Sequence, residues 1–299
     1  VPELPDVTVY VERLEAMVSG HVLERVRMKS PFLLRSVEPP LSEVSGRRLQ
    51  SCHRLGKRLV FSFDGDLHLV LHLMVAGRLR LRKKGAGLPG KMGLAAFDFD
   101  HGTLMLTEAG TKKRASLHVV AGAEALAAHD PGGLEPLDAS PEDFAAALRI
   151  ENHTLKRALT DPRLFSGIGN SYSDEILHRG RFSPFKRTAD LSDDEAERLR
   201  AAVVETLQDW TDRTRDEVGD AFPDKVTAFR EGMAVHGRHG EPCPDCGAPV
   251  QRIVYAENEC NYCAPCQTGG KLLADRALSR LLKQDWPRTL EELEELKRR

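Results

Sequence analysis

Leu164-Phe165-Ser166-Gly167-Ile168-Gly169-Asn170-Ser171-Tyr172-Ser173-Asp174-Glu175 lies between two segments of helical periodicity and turns the chain tightly from one to the next. Glycines at 167 and 169 allow close backbone approach, and Asn170 stands where it can cap the helix that follows. Exposed amide N–H groups at such a turn make an anion site, so the stretch reads as a helical turn that grips phosphate. Gly-x-Gly alone would be an ordinary glycine turn; the full string carries the argument.

Working outward, Ser140-Pro141-Glu142-Asp143 has the form of a helix start, with serine as cap and proline in the first turn. That helix is expected to run through Phe144, Leu148 and Ile150, and a second to begin near His153 and end before Pro162. Further helices are expected over residues 170–179 and 192–218, making an all-helical domain of 135–235. Asp130-Pro131-Gly132-Gly133 marks its upstream boundary. Before it, residues 22–120 alternate in short segments. Leu59-Val60-Phe61-Ser62-Phe63, the turn Asp64-Gly65-Asp66 and the run from Leu67 to Leu73 form a hairpin signature, and Asp100-His101-Gly102 marks another turn. This part, residues 1–130, is expected to be two packed β-sheets with a first helix over 8–17.

Downstream, Cys243-Pro244-Asp245-Cys246-Gly247 and Cys263-Ala264-Pro265-Cys266 are two CxxC knuckles separated by sixteen residues. Two such knuckles place four thiolates around one tetrahedral ion, so Cys243, Cys246, Cys263 and Cys266 imply one structural zinc. The sequence between them reads as a hairpin, and the ribbon spans 236–267. Cys260 falls outside the spacing, and Cys52 reads as a small buried hydrophobe. Residues 268–299 carry leucines at helical spacing, among them Leu272, Leu273, Leu278, Leu281 and Leu282, then Leu290, Leu293 and Leu296 after Trp286-Pro287. This extension is expected to dock on the protein itself.

The formal net charge is −2, from 43 Lys and Arg against 45 Asp and Glu. A DNA-binding protein usually has a basic domain, and here the basic residues are local: ten lie between Arg47 and Lys84, against only Asp64 and Asp66. No apolar run approaches the roughly 20 residues of a membrane span. The start carries Glu3 and Asp6 and no apolar core, so no signal peptide is expected and cytoplasmic residence is the default expectation.

The first six residues are Val1-Pro2-Glu3-Leu4-Pro5-Asp6. A terminal proline is a secondary amine that can attack an electrophilic carbon, whereas an internal proline is an amide with no usable lone pair. Val1 is expected to be a GTG start codon, read as methionine and removed before the small residue that follows. The bland reading is that Pro2 and Pro5 stiffen an arm.

These motifs, in this order, resemble the formamidopyrimidine-DNA glycosylase and endonuclease VIII family over residues 2–267. The hexamer is similar to its P-E-L-P-E/D-V opening, and residues 167–175 to its G-V/I-G-N-x-Y-x-D/S-E helix-two-turn-helix segment. Arg54-Leu55-Gly56-Lys57-Arg58 resembles R-x-G/A-K-x-L, His72-Leu73-Met74-Val75-Ala76-Gly77-Arg78-Leu79 resembles H-L-x-M-S/T-G-x-L, and the approach from His236 to Cys243 resembles V-Y-G-R-x-G-E-P-C. The resemblance implies a multi-domain α+β fold: an N-terminal β-sandwich with flanking helices, a helical helix-two-turn-helix domain and a C-terminal zinc ribbon. It implies Pro2 as Schiff-base nucleophile, Glu3 as general acid and base, and Lys57 as a catalytic residue near the phosphates. Asn170 and Lys156 are implied as DNA contacts, with a solvated surface lysine the alternative for Lys156. The activity implied is a bifunctional DNA glycosylase and abasic-site lyase acting on oxidised bases with β,δ-elimination, in a monomer bound to damaged DNA and associated with the nucleoid.

Three departures bear on substrate. Asn258 stands where the family's hairpin has an arginine, flanked by Glu257 and Glu259. Val75 stands where a methionine fills the hole left by the flipped nucleotide, and strand alternation would send Met74 to the opposite face. Thr107-Glu108-Ala109-Gly110-Thr111-Lys112-Lys113-Arg114-Ala115 replaces the D-P-R-R-F-G wedge of purine-type members and has no aromatic. These point to weaker reading of the opposite base and to single-stranded, mismatched or oxidised-pyrimidine substrates, since flipping costs least where pairing is weak. Two other readings stay open: a relative that binds abasic or damaged DNA with little excision, and a zinc-ribbon scaffold that binds protein partners through its acidic surfaces.

Overall fold

Glu3 ends the extended start of the chain and caps helix α1, Leu4–Met17. The structure is a computed structural model and describes residues 2–224, 230–255, 258–274 and 287–298. The helix begins four residues before the expected position because Glu3 and Asp6 form a reciprocal capping box, with Pro5 in the first turn where its missing N–H costs nothing.

The alternating segments form eight strands: β1 Val22–Met28, β2 Arg47–Leu55, β3 Arg58–Phe63, β4 Leu67–His72, β5 Gly77–Lys83, β6 Gly93–Phe99, β7 Gly102–Glu108 and β8 Ser116–Ala121. A short helix, α2, Ala123–Ala127, follows them. All neighbours are antiparallel, in the order β5-β7-β6-β1-β2-β3-β4-β8. Strands β1 and β2 share only the pairs Val22↔Arg48 and Leu23↔Arg47. The hydrogen-bonded order folds there into the two expected sheets, and Phe61 of one stacks on Phe97 of the other at 6.5 Å between ring centres. Around that pair, Tyr10, Leu14, Leu49, Phe63, Leu69 and Leu106 fill a continuous core. Each such side chain contributes about 1.5–3 kcal/mol by leaving water. Cys52 is buried in this core, as expected.

The helical part contains α3 Pro141–Arg149, α4 Leu155–Thr160, α5 Asn170–Arg179 and α6 Asp193–Val218. The expected serine cap is present: the Ser140 hydroxyl accepts the Asp143 N–H at 3.1 Å. Thr154 caps α4 in the same way, and Ser192 with Glu195 forms a capping box at the start of α6. Phe144 packs on Phe165 at 4.8 Å, over buried Leu148, Leu155, Ile168 and Tyr172.

The chain divides into two compact units. One holds the described residues up to Gly133 with those from Asp209 to Asp224; the other holds Leu134–Gln208 and the described residues from Arg230 onward. The last turns of α6 and the segment after it therefore belong with the sandwich, although the sequence reading includes them in the helical domain of 135–235. Phe222 explains this, since it packs on Tyr10 of α1 at 5.9 Å and Arg215 pairs with Glu12 at 2.7 Å.

In the second unit, β9 Gln251–Tyr255 and β10 Asn258–Tyr262 form the ribbon hairpin, followed by α7 Ala264–Thr268. A last helix, α8, Leu290–Arg298, sets Leu290 and Leu293 against Ile253 and Tyr262. The Leu272 N–H donates to the Arg288 carbonyl at 2.8 Å, and the Tyr262 hydroxyl accepts the Leu273 N–H at 2.8 Å. The extension thus docks on the hairpin of its own chain. Leu278, Leu281, Leu282 and Trp286 lie outside the described residues, as does the Leu296 side chain. Among the described residues, no helix is long and apolar enough to cross a membrane.

Candidate functional site

Pro2 is buried one residue ahead of the helix cap, and Glu3 is 1% exposed. The Glu3 N–H donates to Asp6 Oδ2 at 2.9 Å, which fixes the backbone that carries both residues. Asp6 in turn lies within electrostatic reach of Arg78, as does Tyr10. Arg78 Nη1 donates to the carbonyls of Val75, at 3.2 Å, and Gly77, at 2.7 Å. The α1 start is thereby linked to the turn between β4 and β5.

That turn corrects the strand reading of Met74 and Val75. Both lie outside β4 and β5, and Met74 adopts the left-handed region at φ 53. The Gly77 N–H closes the turn on the Leu73 carbonyl at 2.9 Å, and a Cβ at residue 77 would meet that oxygen at 2.2 Å, so glycine is required. The closure leaves Val75 at the tip, 51% exposed. Alternation does not decide between Met74 and Val75 here; the turn presents Val75 to solvent.

Lys57 sits in the two-residue turn between β2 and β3, after Gly56 at φ 59. Arg58 pairs with His72 across β3 and β4. Burial first, then the neighbouring Arg58 and Lys57 charges, push the His72 imidazole down to about 4. Its Nδ1 accepts the Met74 N–H at 3.2 Å, so the neutral ring carries its proton on Nε2 and is a donor at pH 7. The sequence alone gives neither His72 nor Arg78 a role. Their signal was position, since they flank the turn that presents Val75.

The loop where a wedge was missing is folded around Glu108, which is 1% exposed. Its carboxylate accepts the N–H groups of Arg114, at 2.9 and 3.0 Å, and Ala115, at 3.2 Å. Lys113 Nζ donates to the carbonyls of Glu108 and Gly110. Of the basic run, Lys112 and Arg114 are exposed.

In the second unit, Asn170 is the first residue of α5 and the cap is Gly169, so the expected asparagine cap is not formed. Asn170 Nδ2 instead donates to the Glu259 carbonyl at 2.8 Å, tying the glycine turn to β10. An amide nitrogen carries two hydrogens, so the same group can also donate to a phosphate oxygen. Lys156 is 8% exposed, which rules out a solvated surface lysine. Its Nζ donates to the Asn170 carbonyl at 2.7 Å, Ser173 Oγ at 2.8 Å and Asp174 Oδ1 at 2.6 Å. All three ammonium hydrogens are used within the protein, so Lys156 positions the turn, and contact with DNA would require giving up one of these bonds.

Asp174 and Glu175 were read only as part of the motif, and both are hubs. Asp174 Oδ2 also meets His236 Nδ1 at 2.8 Å and accepts the Asn261 N–H at 3.1 Å. Glu175 accepts the backbone N–H groups of Ala234, Val235 and His236 at 2.7–2.9 Å. Asn258 opens β10 opposite Tyr255, and its side chain lies outside the described residues.

The Sγ atoms of Cys243, Cys246, Cys263 and Cys266 lie within 4.8 Å of one another, with Cys246–Cys263 at 3.4 Å and Cys243–Cys266 at 4.0 Å. A tetrahedron built on Zn–S bonds of about 2.3 Å has edges of about 3.8 Å, so the cluster can hold a metal ion of that size. Gly247 takes the expected turn at φ 75, and His178 Nε2 of α5 lies 3.2 Å from Cys243 Sγ. Cys260 is outside the cluster, buried against Ile253 and Tyr262.

A sandwich whose first helix begins at a buried Pro-Glu pair, joined in one chain to a glycine turn between helices and a four-cysteine ribbon, defines a class of DNA-repair glycosylase. The models for the formamidopyrimidine-DNA glycosylase N-terminal domain and H2TH domain match residues 1–130 and 133–218. The formamidopyrimidine-DNA glycosylase of Thermus thermophilus is 34% identical over 281 residues, covering 90% of this chain and all of the relative. An uncharacterized formamidopyrimidine-DNA glycosylase-like protein of Mycobacterium tuberculosis is 42% identical over 151 residues, which is 50% of this chain and 94% of the relative. The crystal structure of the Thermus thermophilus MutM (Fpg) protein superposes with a TM-score of 0.74 at 32% identity, covering 89% of this chain and 98% of that one. A Lactococcus lactis Fpg complex with DNA containing an oxidized pyrimidine gives 0.78 at 26% identity, covering 89% of this chain and all of that one. The chain belongs to the formamidopyrimidine-DNA glycosylase family, whose enzymes are DNA glycosylases with abasic-site lyase activity.

Proposed function

We propose that the protein excises oxidised bases from damaged DNA through a Schiff base on Pro2 and then cleaves the strand by β,δ-elimination. The observation that carries this reading is the Glu3–Asp6 bond, which holds the Pro2-Glu3 backbone in one extended geometry at the start of α1. With residue 1 removed, Pro2 bears an α-amine, a class that titrates near pKa ~8 and is partly neutral at physiological pH. The amine attacks C1′ of the flipped nucleotide, a C–N bond forms, and the base leaves with the electrons of its glycosidic bond. Glu3 protonates the opening sugar ring and afterwards takes the C2′ proton that the imine acidifies. Loss of the 3′ and then the 5′ phosphate oxygens follows by successive elimination. Lys57 and the neutral His72 donate to phosphate beside the reacting sugar, and Asn170 donates to the flanking backbone. Lys156 acts through Asn170.

One zinc in the Cys243, Cys246, Cys263 and Cys266 cluster supports the ribbon and carries no chemistry. Its hairpin, with Asn258 in place of a charged side chain, makes a weaker backbone contact. The exposed valine tip at residue 75 and the Glu108-centred loop without an aromatic favour lesions whose pairing is already weak: oxidised pyrimidines, mismatched or single-stranded sites. The same features favour a second reading, in which the protein binds abasic sites with little excision. A cytoplasmic, nucleoid-associated monomer fits either reading, as do the domain limits of 1–130, 135–235, 236–267 and 268–299 apart from the α6 end.

A panel of single- and double-stranded oligonucleotides carrying an oxidised purine, an oxidised pyrimidine or an abasic site tests the proposal. Base release with strand cleavage, strongest on the pyrimidine or single-stranded members, is expected. Cleavage of the abasic oligonucleotide alone would favour the second reading, and equal cleavage of every oxidised-purine duplex would overturn the substrate preference.

A further inference from the structure

We propose that His21, Asp100 and His101 form a second metal site, for a borderline divalent ion such as zinc, nickel or cobalt, on the sandwich and separate from the cysteine cluster. His21 precedes β1, and Asp100-His101 is the turn between β6 and β7. The pairing of Leu23 with Phe99 brings the two segments together. His21 Nδ1 lies 2.6 Å and His101 Nδ1 3.3 Å from Asp100 Oδ1, and the three ligand atoms lie within 4.8 Å of one another.

The remaining polar atoms of Asp100 and His101 are held as a metal site requires. Asp100 Oδ2 accepts the Val22 N–H at 3.2 Å, which leaves Oδ1 for the ion. His101 Nε2 faces the Met17 carbonyl at 2.8 Å, a group at the end of α1 that can only accept, so Nε2 carries a proton. In a neutral ring the Nδ1 of His101 is then a lone pair aimed at a carboxylate oxygen. A cation between the two atoms, whether a proton or a metal ion, makes that contact attractive. The two imidazoles stack at 3.5 Å between centres, with both Nδ1 atoms on the same carboxylate oxygen. One divalent ion takes both lone pairs and the carboxylate together. An N–H bonded to a backbone carbonyl is also the usual outer support of a metal-bound histidine.

Bonds of about 2.0–2.2 Å to nitrogen and oxygen place neighbouring ligands about 3.3 Å apart in a tetrahedron. The His101–Asp100 spacing of 3.3 Å already has this value, and the His21–Asp100 spacing of 2.6 Å opens by about 0.7 Å to reach it. The side chains are 39%, 40% and 30% exposed for His21, Asp100 and His101, so water can complete the coordination. Two imidazoles and one carboxylate select zinc, nickel, copper or cobalt over magnesium and calcium. Bound there, the ion ties the end of α1 to the start of β1 and the β6–β7 turn.

The test uses full-length protein with its cysteine cluster loaded with zinc. Cobalt is titrated in, followed by calorimetry and visible absorption, and bound metal is counted after dialysis. The expected result is one further equivalent with d–d bands but no thiolate charge-transfer band, a rise in the thermal midpoint, and affinity at least about tenfold weaker in His21→Ala and His101→Ala. Both variants should keep their cluster zinc, which reports an intact fold. No further equivalent up to millimolar cobalt, binding that survives both substitutions, or a thiolate charge-transfer band each overturns the site.

Discussion

Asp6 Oδ2 accepts the Glu3 backbone N–H at 2.9 Å, so the residue that follows Pro2 is held by the helix it starts. The arrangement needs a carboxylate three residues into α1, and aspartate meets it with a short reach. Asp6→Ala should cost about 1 kcal/mol of stability, the ordinary value of a cap, read as a lower denaturant midpoint. It should reduce base release by more than that loss of folded protein explains, with Asp6→Glu restoring most of it. Unchanged excision in Asp6→Ala would separate the cap from the chemistry.

Glu3→Gln keeps the shape and removes the proton donor. Base release in single-turnover assays should fall about 10²–10⁴-fold while the abasic-site DNA dissociation constant changes little. An equal loss of binding and excision would mean that Glu3 holds DNA and does not move a proton.

The Lys156 ammonium, bound to Asp174, Ser173 and the Asn170 carbonyl, is a buried charge with its partners built in. Lys156→Met leaves Asp174 short of its cation and should cost about 3–5 kcal/mol in denaturation experiments. In protein that remains folded at low temperature, the slope of log affinity against log salt should stay as in the parent. A direct phosphate contact predicts a slope smaller by about 0.9 instead.

His72 titrates far from an ordinary histidine. Burial, Arg58 and Lys57 hold its folded value at about 4 against about 6.5 in the unfolded chain, so the native state binds fewer protons between those pH values. Its contribution to stability is complete above about pH 6.5 and is lost as the pH falls through 4. Nuclear magnetic resonance of the His72 ring should give a midpoint near 4, and Lys57→Met should raise it by removing a positive neighbour. A midpoint at 6.5 or above would place His72 in solvent and away from Lys57.

The parts of this molecule that could be read from sequence are those whose physics is local. Cys-x-x-Cys spacing is set by a tetrahedral ion, and the alternation from Leu59 to Leu73 is set by a pleated strand pair. Ser140-Pro141 is a helix cap whatever lies around it. The start of α1 lies earlier than the periodicity places it because Glu3, read as an acid and base, is also the helix cap together with Asp6. Lys156, Asp174 and His236 meet across 18 and 62 residues, and no spacing rule links them. Asn170 satisfies a carbonyl 89 residues away in place of its own helix. The exposure of Val75 depends on the turn closed by Gly77, which alternation along a strand cannot foresee.

The metal of the ribbon is a folding element under this account. Stripping it with a strong chelator, or Cys246→Ser, should release β9 and β10 and with them the Glu259 carbonyl that holds Asn170. Affinity for abasic-site DNA should fall at least about tenfold, and one equivalent of zinc should restore it. Full affinity in metal-free protein would show that the hairpin does not support the glycine turn.

Borohydride trapping on an abasic-site oligonucleotide, followed by digestion and mass spectrometry of the crosslinked peptide, tests the central claim most directly. The account predicts a reduced adduct on the nitrogen of Pro2, in protein whose first residue is that proline. An adduct on a lysine such as Lys57, or efficient strand cleavage by protein that still begins with Val1, would contradict it.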